Sequence, residues 1–244
     1  MSRSIPFSRH GATGRVLAGA VVLLLCGGAV DPPATARIGR FIATRTDTPP
    51  EVLSRTRNVR EASLMTEPVL KQSGIREIRD FRTFLDKLAR KTSDKTELAT
   101  AVNEYVNVHV RFTPDDNLYN KNDVWAPPIN TLILGGDCED IALVKYWGLH
   151  YVGFAREDMF LVVGMSSVVN PPAGHAILSV RLPDGSFLAL DSLERRVLSV
   201  DEMTRFEPAY AVGVDGYWTV NDSTRDWGEY WRVAFKKDAE RQGR

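Results

Sequence analysis

The stretch GGDCEDIALVKYWGLHYVG, residues 135–153, places a cysteine among carboxylates. Cys138 follows Asp137 and precedes Glu139 and Asp140, and the apolar residues after them predict a helix that begins at Asp137. The first turn of a helix offers unpaired backbone N–H groups and the positive end of the helix dipole, so a sulfur there is favoured as the thiolate. The sequence therefore indicates a candidate nucleophile, with a buried inert thiol as the alternative.

A histidine and an aspartate fall on a β-hairpin that is predicted after this helix. Residues 175–182 and 186–193 alternate apolar and polar side chains, and Pro, Asp and Gly at 183–185 are typical of a tight turn. His175 and Asp191 are equidistant from residue 183, so we expect them to face each other with Cβ atoms about 5 Å apart. Cys, His and Asp are the nucleophile, the general base and the orienting carboxylate of a thiol acyl-transfer site.

Helices and a long loop must position these residues. Apolar side chains at helical spacing predict two amphipathic helices, over residues 75–91 and 96–112. Residues 113–136 form a long irregular stretch, and such a length inside a domain indicates a functional loop. The helix at residues 137–153 is apolar on nearly all sides, which predicts a buried central helix, and a further strand is predicted at residues 159–164.

The first 36 residues have the features of a signal peptide. Three arginines, at positions 3, 9 and 15, precede the apolar run VLAGAVVLLLCGGAV, and the small residues at 34–36 supply a cleavage pattern. An apolar run of about fifteen residues is shorter than the roughly 20 residues that span a bilayer. We therefore expect export to the periplasm with cleavage, and an uncleaved membrane anchor is the alternative.

Composition divides the chain into four segments. Residues 1–36 are the predicted signal peptide, residues 37–74 an extended N-terminal arm rich in Thr, Pro and Arg, residues 75–235 the folded domain, and residues 236–244 a charged tail. The 31 basic and 31 acidic residues balance, which gives no basis for a nucleic-acid partner. Without the leader Cys138 is the single cysteine, which favours a free thiol over a disulfide.

The order of the three side chains is similar to that of a known fold. Cys138 on a helix, followed by His175 and Asp191 on strands, resembles the transglutaminase-like core of the papain superfamily. The motifs NDVWAPP, GGDCEDIALVKYWGL, GHAIL and LDSL, spread over residues 75–220, resemble more closely the bacterial transglutaminase-like cysteine proteinases, a family that includes LapG-like periplasmic proteases. The resemblance implies an α+β fold in which a buried helix carrying the cysteine packs on an antiparallel β-sheet.

The resemblance also implies a function. The expected protein is a calcium-dependent cysteine endopeptidase of the periplasm that cuts a large cell-surface adhesin and so affects biofilm attachment. A protein substrate is then the expected partner, and an inner-membrane receptor that sequesters the enzyme is a second expected partner. The catalytic residues carried over are Cys138, His175 and Asp191, and the backbone N–H of Cys138 is expected to contribute to the oxyanion hole.

Carboxylates near the cysteine are the calcium ligands that the resemblance implies. Asp137 and Glu139 are the first candidates, and Asp123 and Asp140 are the next. Several carboxylates close to a thiol would raise its pKa, whereas a hard cation with oxygen ligands would offset their charge. The alternative is that Asp137 and Asp140 only cap the helix and complement its dipole.

Two departures from the family pattern bear on substrate choice. Asn130 stands where the loop usually carries Glu after Trp125, and Ser192 follows the aspartate where Asn is common.

Three functions remain open from the sequence: a periplasmic cysteine protease, an acyltransferase or amidase that uses the same triad, and a non-catalytic calcium-dependent binding module. The first two require the Cys138 thiol, whereas the third would retain partner binding when Cys138 is replaced.

Overall fold

The described structure contains an antiparallel β-sheet of eight strands. The computed structural model describes residues 35–38, 41–48, 53–64, 74–121, 123–214 and 216–220. The strands are β1 (Thr35–Ile38), β2 (Phe41–Thr46), β3 (Met159–Ser166), β4 (Ala173–Arg181), β5 (Phe187–Leu190), β6 (Leu198–Ser199), β7 (Phe206–Gly213) and β8 (Gly216–Val220). Their order across the sheet is β1-β2-β8-β7-β3-β4-β5-β6, with antiparallel neighbours throughout.

Six α-helices are found in the described residues. They are α1 (Leu53–Leu64), α2 (Arg76–Lys91), α3 (Lys95–His109), α4 (Asp115–Tyr119), α5 (Pro128–Leu134) and α6 (Cys138–Tyr151). The two predicted amphipathic helices are confirmed as α2 and α3. Asp94 ends the polar break between them, and its side chain accepts a hydrogen bond from the Glu97 N–H at 2.7 Å, which fixes the start of α3.

The helix that carries the cysteine runs through the interior. Every residue of α6 from 139 to 149 is buried, and α6 packs against β4, α3, α5 and α1. Apolar side chains all around a helix require neighbours all around it, which is the reason that α6 occupies the centre. The predicted buried central helix is confirmed.

The sheet separates two apolar clusters. In β3, Leu161 and Val163 pack with the helices on one side, whereas Phe160 and Val162 belong to a second cluster. Successive side chains of a strand point to opposite faces, so alternation within β3 places one cluster on each face of the sheet. Together with the helices this gives the α+β fold that the resemblance implies.

The β4–β5 hairpin has a register that differs from the predicted one. Its pairs run from Arg181 with Phe187 to Leu178 with Leu190, so they centre on residue 184 instead of 183. The reason is a three-residue turn, closed by a hydrogen bond from the Leu182 N–H to the carbonyl of residue 186 at 2.8 Å. His175 and Asp191 are therefore not directly opposed, because Asp191 lies just beyond the paired residues.

The segment predicted as an extended arm contains regular structure. Within residues 37–74, β2 pairs with β8 and α1 packs against α6 and β7. Two positions of helix α1 are buried in the described structure, one turn apart: Arg55, which is charged, and Val59, which is apolar. Because one of the two is charged, the apolar pattern of the helix is weak. The prediction of a loosely packed arm is therefore wrong for the described part of this segment.

The stretch 113–136 is more regular than predicted, since it contains α4 and α5.

The predicted signal peptide lies outside the described residues up to position 34, and its expected cleavage point after Ala36 falls within β1. The predicted tail at 236–244 also lies outside them. No helix in the described part of the chain has the length and apolar character to cross a bilayer.

Candidate active site

Cys138 is the first residue of α6. The first hydrogen bond of this helix joins the Ile141 N–H to the Asp137 carbonyl at 3.0 Å, so the N–H groups of the first turn have no acceptor within the helix. The half-buried thiol donates to Glu139 Oε2 at 3.1 Å. The sulfur in turn accepts a hydrogen bond from the backbone N–H of Ala176, a residue of β4.

Two glycines shape the chain just before the cysteine. Gly135 has a φ angle of 88°, in the region that favours glycine. A Cβ atom on Gly136 would lie 2.5 Å from Oδ2 of Asp140, far inside van der Waals contact. The missing side chain at position 136 thus lets the Asp140 carboxylate lie against the backbone that leads to Cys138.

His175 and Asp191 form a buried hydrogen-bonded pair. His175 Nε2 lies 2.6 Å from Asp191 Oδ1, and the two residues are only 6% and 2% exposed. Asp191 Oδ1 also accepts from the Leu193 N–H at 2.8 Å, while the Asn107 side chain donates to the Asp191 carbonyl at 2.9 Å. Burial alone would raise the pKa of Asp191, but the hydrogen bond and charge of His175 lower it below its ordinary value. The carboxylate is therefore ionised and fixed beside the imidazole.

The structure pairs His175 with Asp191 and places the Cys138 sulfur against the backbone of β4 next to His175. Ala176, whose N–H contacts the Cys138 sulfur, directly follows His175 in β4. Because Nε2 of His175 faces Asp191, Nδ1 is the ring nitrogen that remains for proton exchange with a thiol. A thiol at the start of α6, beside a strand whose histidine is paired with a carboxylate, supplies the three kinds of group that thiol acyl transfer requires.

A cluster of carboxylates lies beside the cysteine. Three overlapping groups have side-chain ligand atoms within 4.8 Å of one another, namely Asp137–Cys138–Glu139, Asp115–Asp123–Glu139 and Asp115–Asp137–Asp140. All four carboxylates predicted as calcium ligands belong to the cluster. Asp115 was not predicted, because it lies more than twenty residues before the cysteine in sequence and joins the site only through the fold of α4.

Burial and mutual repulsion hold protons on this cluster. Burial, followed by the charge of Asp137, raises the pKa of Asp115 to about 7, and burial raises that of Asp140 to about 8. The pKa of Glu139 is also well above its usual range, because the side chain is buried beside Asp137 and Asp123. For these three carboxyl groups, burial and the neighbouring negative charges favour the protonated form.

The same cluster acts on the thiol. Burial, then the charges of Glu139 and Asp137, raise the pKa of Cys138 well above its ordinary value, although the Ala176 N–H opposes the shift. The expectation that neighbouring carboxylates disfavour the thiolate is confirmed in direction. A reactive cysteine at this position needs a cation or a proton on the carboxylates.

Several carboxylate oxygens of the cluster have no hydrogen-bond partner within the described residues, although they are buried. These are Asp115 Oδ1, Asp137 Oδ1 and Asp140 Oδ2. The second oxygens of two of these residues hold the loop: Asp140 Oδ1 accepts from the Ala126 N–H at 2.6 Å, and Asp115 Oδ2 accepts from the Val124 N–H. The side chain of Asp137 makes no cap to α6, so helix capping does not account for Asp137. Asp140, in contrast, accepts a hydrogen bond from the backbone N–H of Asp137, as the acidic residue of a capping box would.

The bacterial transglutaminase-like cysteine proteinase family, BTLCP, has a sequence model that matches residues 81–226, more than half of the chain. The chain belongs to this family. It is therefore a transglutaminase-like cysteine peptidase, and the family expected from the motifs is confirmed.

Solved structures of a Legionella pneumophila protein have a similar fold. The calcium-bound LapG from this organism is 24% identical with a TM-score of 0.52, and the match covers 75% of this chain and 98% of that one. The EGTA-treated LapG is 23% identical with a TM-score of 0.51, and the match covers 68% and 86%. No curated protein matches the chain. At these identities the likeness shows the fold of the peptidase.

One residue near the site of this peptidase comes from outside the family match. Arg55 of α1 is buried, forms an ion pair with Asp123, and donates to the Tyr210 hydroxyl at 3.1 Å. Its guanidinium lies 5.7 Å from the centre of the Trp125 ring, and Trp125 Nε1 donates to Asp123 Oδ1 at 3.1 Å. Helix α1 thus holds the loop that carries Asp123. Sequence reasoning missed Arg55, because nothing in its local pattern distinguishes it from a surface arginine.

Proposed function

We propose that this peptidase is a calcium-dependent periplasmic endopeptidase with the triad Cys138, His175 and Asp191. The observation that carries the proposal is the 2.6 Å hydrogen bond between His175 Nε2 and buried Asp191, next to the β4 backbone that contacts the Cys138 sulfur. A histidine fixed in this way has a defined tautomer and a free second nitrogen.

The proposed reaction uses each residue in turn. His175 Nδ1 accepts the proton of the Cys138 thiol, and the sulfur attacks the carbonyl carbon of the scissile peptide bond. The C–N bond then breaks as the imidazolium gives its proton to the leaving amine, leaving a thioester. His175 next removes a proton from water, which attacks the thioester and releases the new carboxylate together with the thiolate. Asp191 stabilises the imidazolium in both halves of the reaction.

The start of α6 would stabilise the developing oxyanion. The Cys138 N–H lies in the first turn, where the helix supplies no acceptor for it, and the helix dipole is positive there. An N–H at the nucleophile that donates to the tetrahedral oxygen is a large contribution to acyl-transfer rates.

Calcium would be held by Asp137, Glu139 and Asp123, together with Asp115 and Asp140. The residues fit such an ion: their ligand atoms are hard carboxylate oxygens close together, and three of the buried oxygens lack a hydrogen-bond partner in the described structure. When bound, calcium would supply the positive charge that offsets the repulsion between these carboxylates and the thiolate. Calcium-bound and EGTA-treated forms are both known for the Legionella LapG.

The proposed substrate is a large cell-surface adhesin, whose cleavage would release cells from a biofilm. The support is the family membership and the signal-peptide features of residues 1–36, which would direct the peptidase to the periplasm. An inner-membrane receptor that sequesters the peptidase is a further proposed partner.

The test incubates the purified protein with a recombinant amino-terminal fragment of the largest repetitive adhesin of the same cell. Cleavage at one site, lost in Cys138→Ala and on addition of EGTA, is the expected result. Transfer of the fragment to a fluorescent amine instead of water would indicate an acyltransferase. Calcium-dependent binding of the fragment by both wild type and Cys138→Ala, without any new product, would overturn the peptidase proposal.

A further inference from the structure

A buried lysine lies on the same helix as the nucleophile. Lys145 of α6 is completely buried, with an exposed fraction of 0%. It follows Cys138 by seven residues, which is about two helical turns and about 10 Å along the axis, so both side chains leave the same face of α6. At the first turn of α6, this face contacts β4, the strand that carries His175.

The Lys145 ammonium has no ordinary structural partner. Its Nζ atom has no hydrogen-bond acceptor within the described residues. Asp191 uses Oδ1 for both His175 and the Leu193 N–H, while its Oδ2 is buried without a donor in the described structure. Asn103, on α3 one turn before Asn107, is likewise buried with both amide atoms unpaired. Buried polar atoms without a hydrogen-bond partner in the described structure are thus found on Lys145, on the triad carboxylate and on α3.

A lysine in this position costs stability. An ammonium removed from water without a hydrogen-bond acceptor is strongly disfavoured, and apolar residues of similar size usually replace such groups without loss of stability. The side chains around α6 are mostly apolar and would accommodate a methionine. Packing therefore gives no reason for a lysine at position 145, and residues that are unfavourable for stability are common where function requires them.

Lys145 and Asp191 influence each other through their charges. Burial lowers the pKa of Lys145 to about 7, and the negative charge of Asp191 opposes this shift. In the other direction, Lys145 contributes with His175 to the low pKa of Asp191. Among the charged groups of the described residues, Asp191 is the one whose charge favours the protonated form of Lys145.

We propose that Lys145 is a positioning residue for the triad: its ammonium lies behind Asp191, complements the carboxylate oxygen that His175 does not use, and so keeps Asp191 ionised and oriented toward the imidazole. The inference rests on the proposed function, because it concerns the same triad. Lys145 touches no reacting atom and acts only through Asp191.

The test replaces Lys145 by methionine, which keeps the length of the side chain and removes the charge. The control is Leu143→Ala, a cavity substitution on the same buried helix that leaves the charges unchanged. We expect Lys145→Met to lower kcat by about tenfold, as loss of an outer-shell partner commonly does, with a KM within about twofold of wild type. Its Tm should equal or exceed that of wild type, whereas Leu143→Ala should lower Tm with little change in kcat.

A second measurement does not depend on a substrate. In a Cys138→Ala background, the titration of His175 is followed by NMR with and without Lys145→Met. Removal of a nearby cation favours the imidazolium, so we expect the His175 midpoint to rise by about half a pH unit or more. Leu143→Ala should leave this midpoint unchanged.

The outcomes separate the two proposals. If wild type shows no Cys138-dependent cleavage, the proposed function fails, and the NMR titration still decides whether Lys145 acts on His175 through Asp191. If wild type is active but Lys145→Met keeps its kcat and the His175 midpoint, the role of Lys145 is overturned while the peptidase proposal stands. A fall in Tm like that of Leu143→Ala with an unchanged midpoint would also overturn it.

Discussion

The acidic cluster makes a sharp prediction about stability and pH. Asp140 has a pKa raised to about 8 and Asp115 one raised to about 7, whereas an unfolded aspartate titrates near about 3.9. Between pH 5 and 7 the folded protein therefore binds protons on these groups that the unfolded chain has lost. Stability in the absence of calcium should fall as the pH rises through this window. Lys145, whose pKa is lowered to about 7, loses its proton in the folded state only above that pH, where it makes stability rise with pH.

The magnitude follows from linkage. One proton held by the folded state alone across two pH units changes the free energy of unfolding by about 2.7 kcal/mol, which is about 5–10 °C in Tm for a domain of this size. Asp140→Asn keeps an acceptor for the Ala126 N–H but cannot titrate, so its pH dependence should be flatter by about this amount. The control is Asp116→Asn, an exposed neighbour of the cluster, which should retain the wild-type slope.

The assay is thermal unfolding at pH 5, 6 and 7 in EGTA and in excess calcium. Calcium competes with protons for the carboxylates, so it should stabilise the protein most at pH 7 and least at pH 5. A Tm in EGTA that is constant or rises from pH 5 to 7 would refute the reasoning. Equal stabilisation by calcium at both pH values would refute it as well.

Three further substitutions test the parts of the site. Arg55→Met should lower the free energy of unfolding in urea by about 1–3 kcal/mol, because Asp123 loses its ion pair and the buried Tyr210 hydroxyl loses the hydrogen bond that Arg55 donates. Asp191→Asn should lower kcat by a factor of about 100 to 10,000 with the fold retained by circular dichroism, because the imidazolium loses its counter-charge. Gly136→Ala should abolish calcium binding in calorimetry and lower Tm, since its Cβ meets a carboxylate oxygen at 2.5 Å, whereas Gly74→Ala, with open space around it, should do neither.

Much of the fold was predictable where one sequence pattern corresponds to one environment. The all-round apolarity of residues 137–153 predicted a central helix, and α6 is buried along most of its length. The alternation in residues 175–193 predicted the β4–β5 hairpin, but the residue types of the turn did not fix its register. Because the loop has three residues, the hairpin centres on residue 184 instead of 183, and each residue pairs with one that lies two positions later than predicted. Asp191 still reaches His175, since a side chain beyond the end of a ladder can turn toward its neighbour.

Helix α1 shows where pattern reading fails. Its buried stripe contains an arginine, Arg55, followed by Val59, so the apolar periodicity that reveals a helix is missing. The arginine is stable in the interior only because Asp123 and Tyr210, far away in sequence, supply its partners. Such pairing depends on tertiary structure and leaves no local signal.

The candidate site was predicted in its chemistry but not in its full membership. The cysteine, histidine and aspartate were predicted from residue type and order, and the structure pairs His175 with Asp191 and places the Cys138 sulfur at the backbone N–H that follows His175. Asp115 and Lys145 were missed for a common reason: each is an ordinary residue type in its own segment, and only burial makes it unusual. A buried charge is a property of the folded chain, so it is recognised after the fold is known.

The most direct test of the central claim measures the rate of alkylation of Cys138 by iodoacetamide against pH, with calcium and with EGTA, in wild type and in His175→Ala. The account predicts an apparent thiol pKa well below about 8.5 with calcium, and a higher one in EGTA, where burial and the charges of Glu139 and Asp137 act unopposed. His175→Ala should lose the low pKa even with calcium. A thiol that reacts slowly with an ordinary pKa in all four conditions would contradict the claim that Cys138 is an activated nucleophile organised by His175 and a cation.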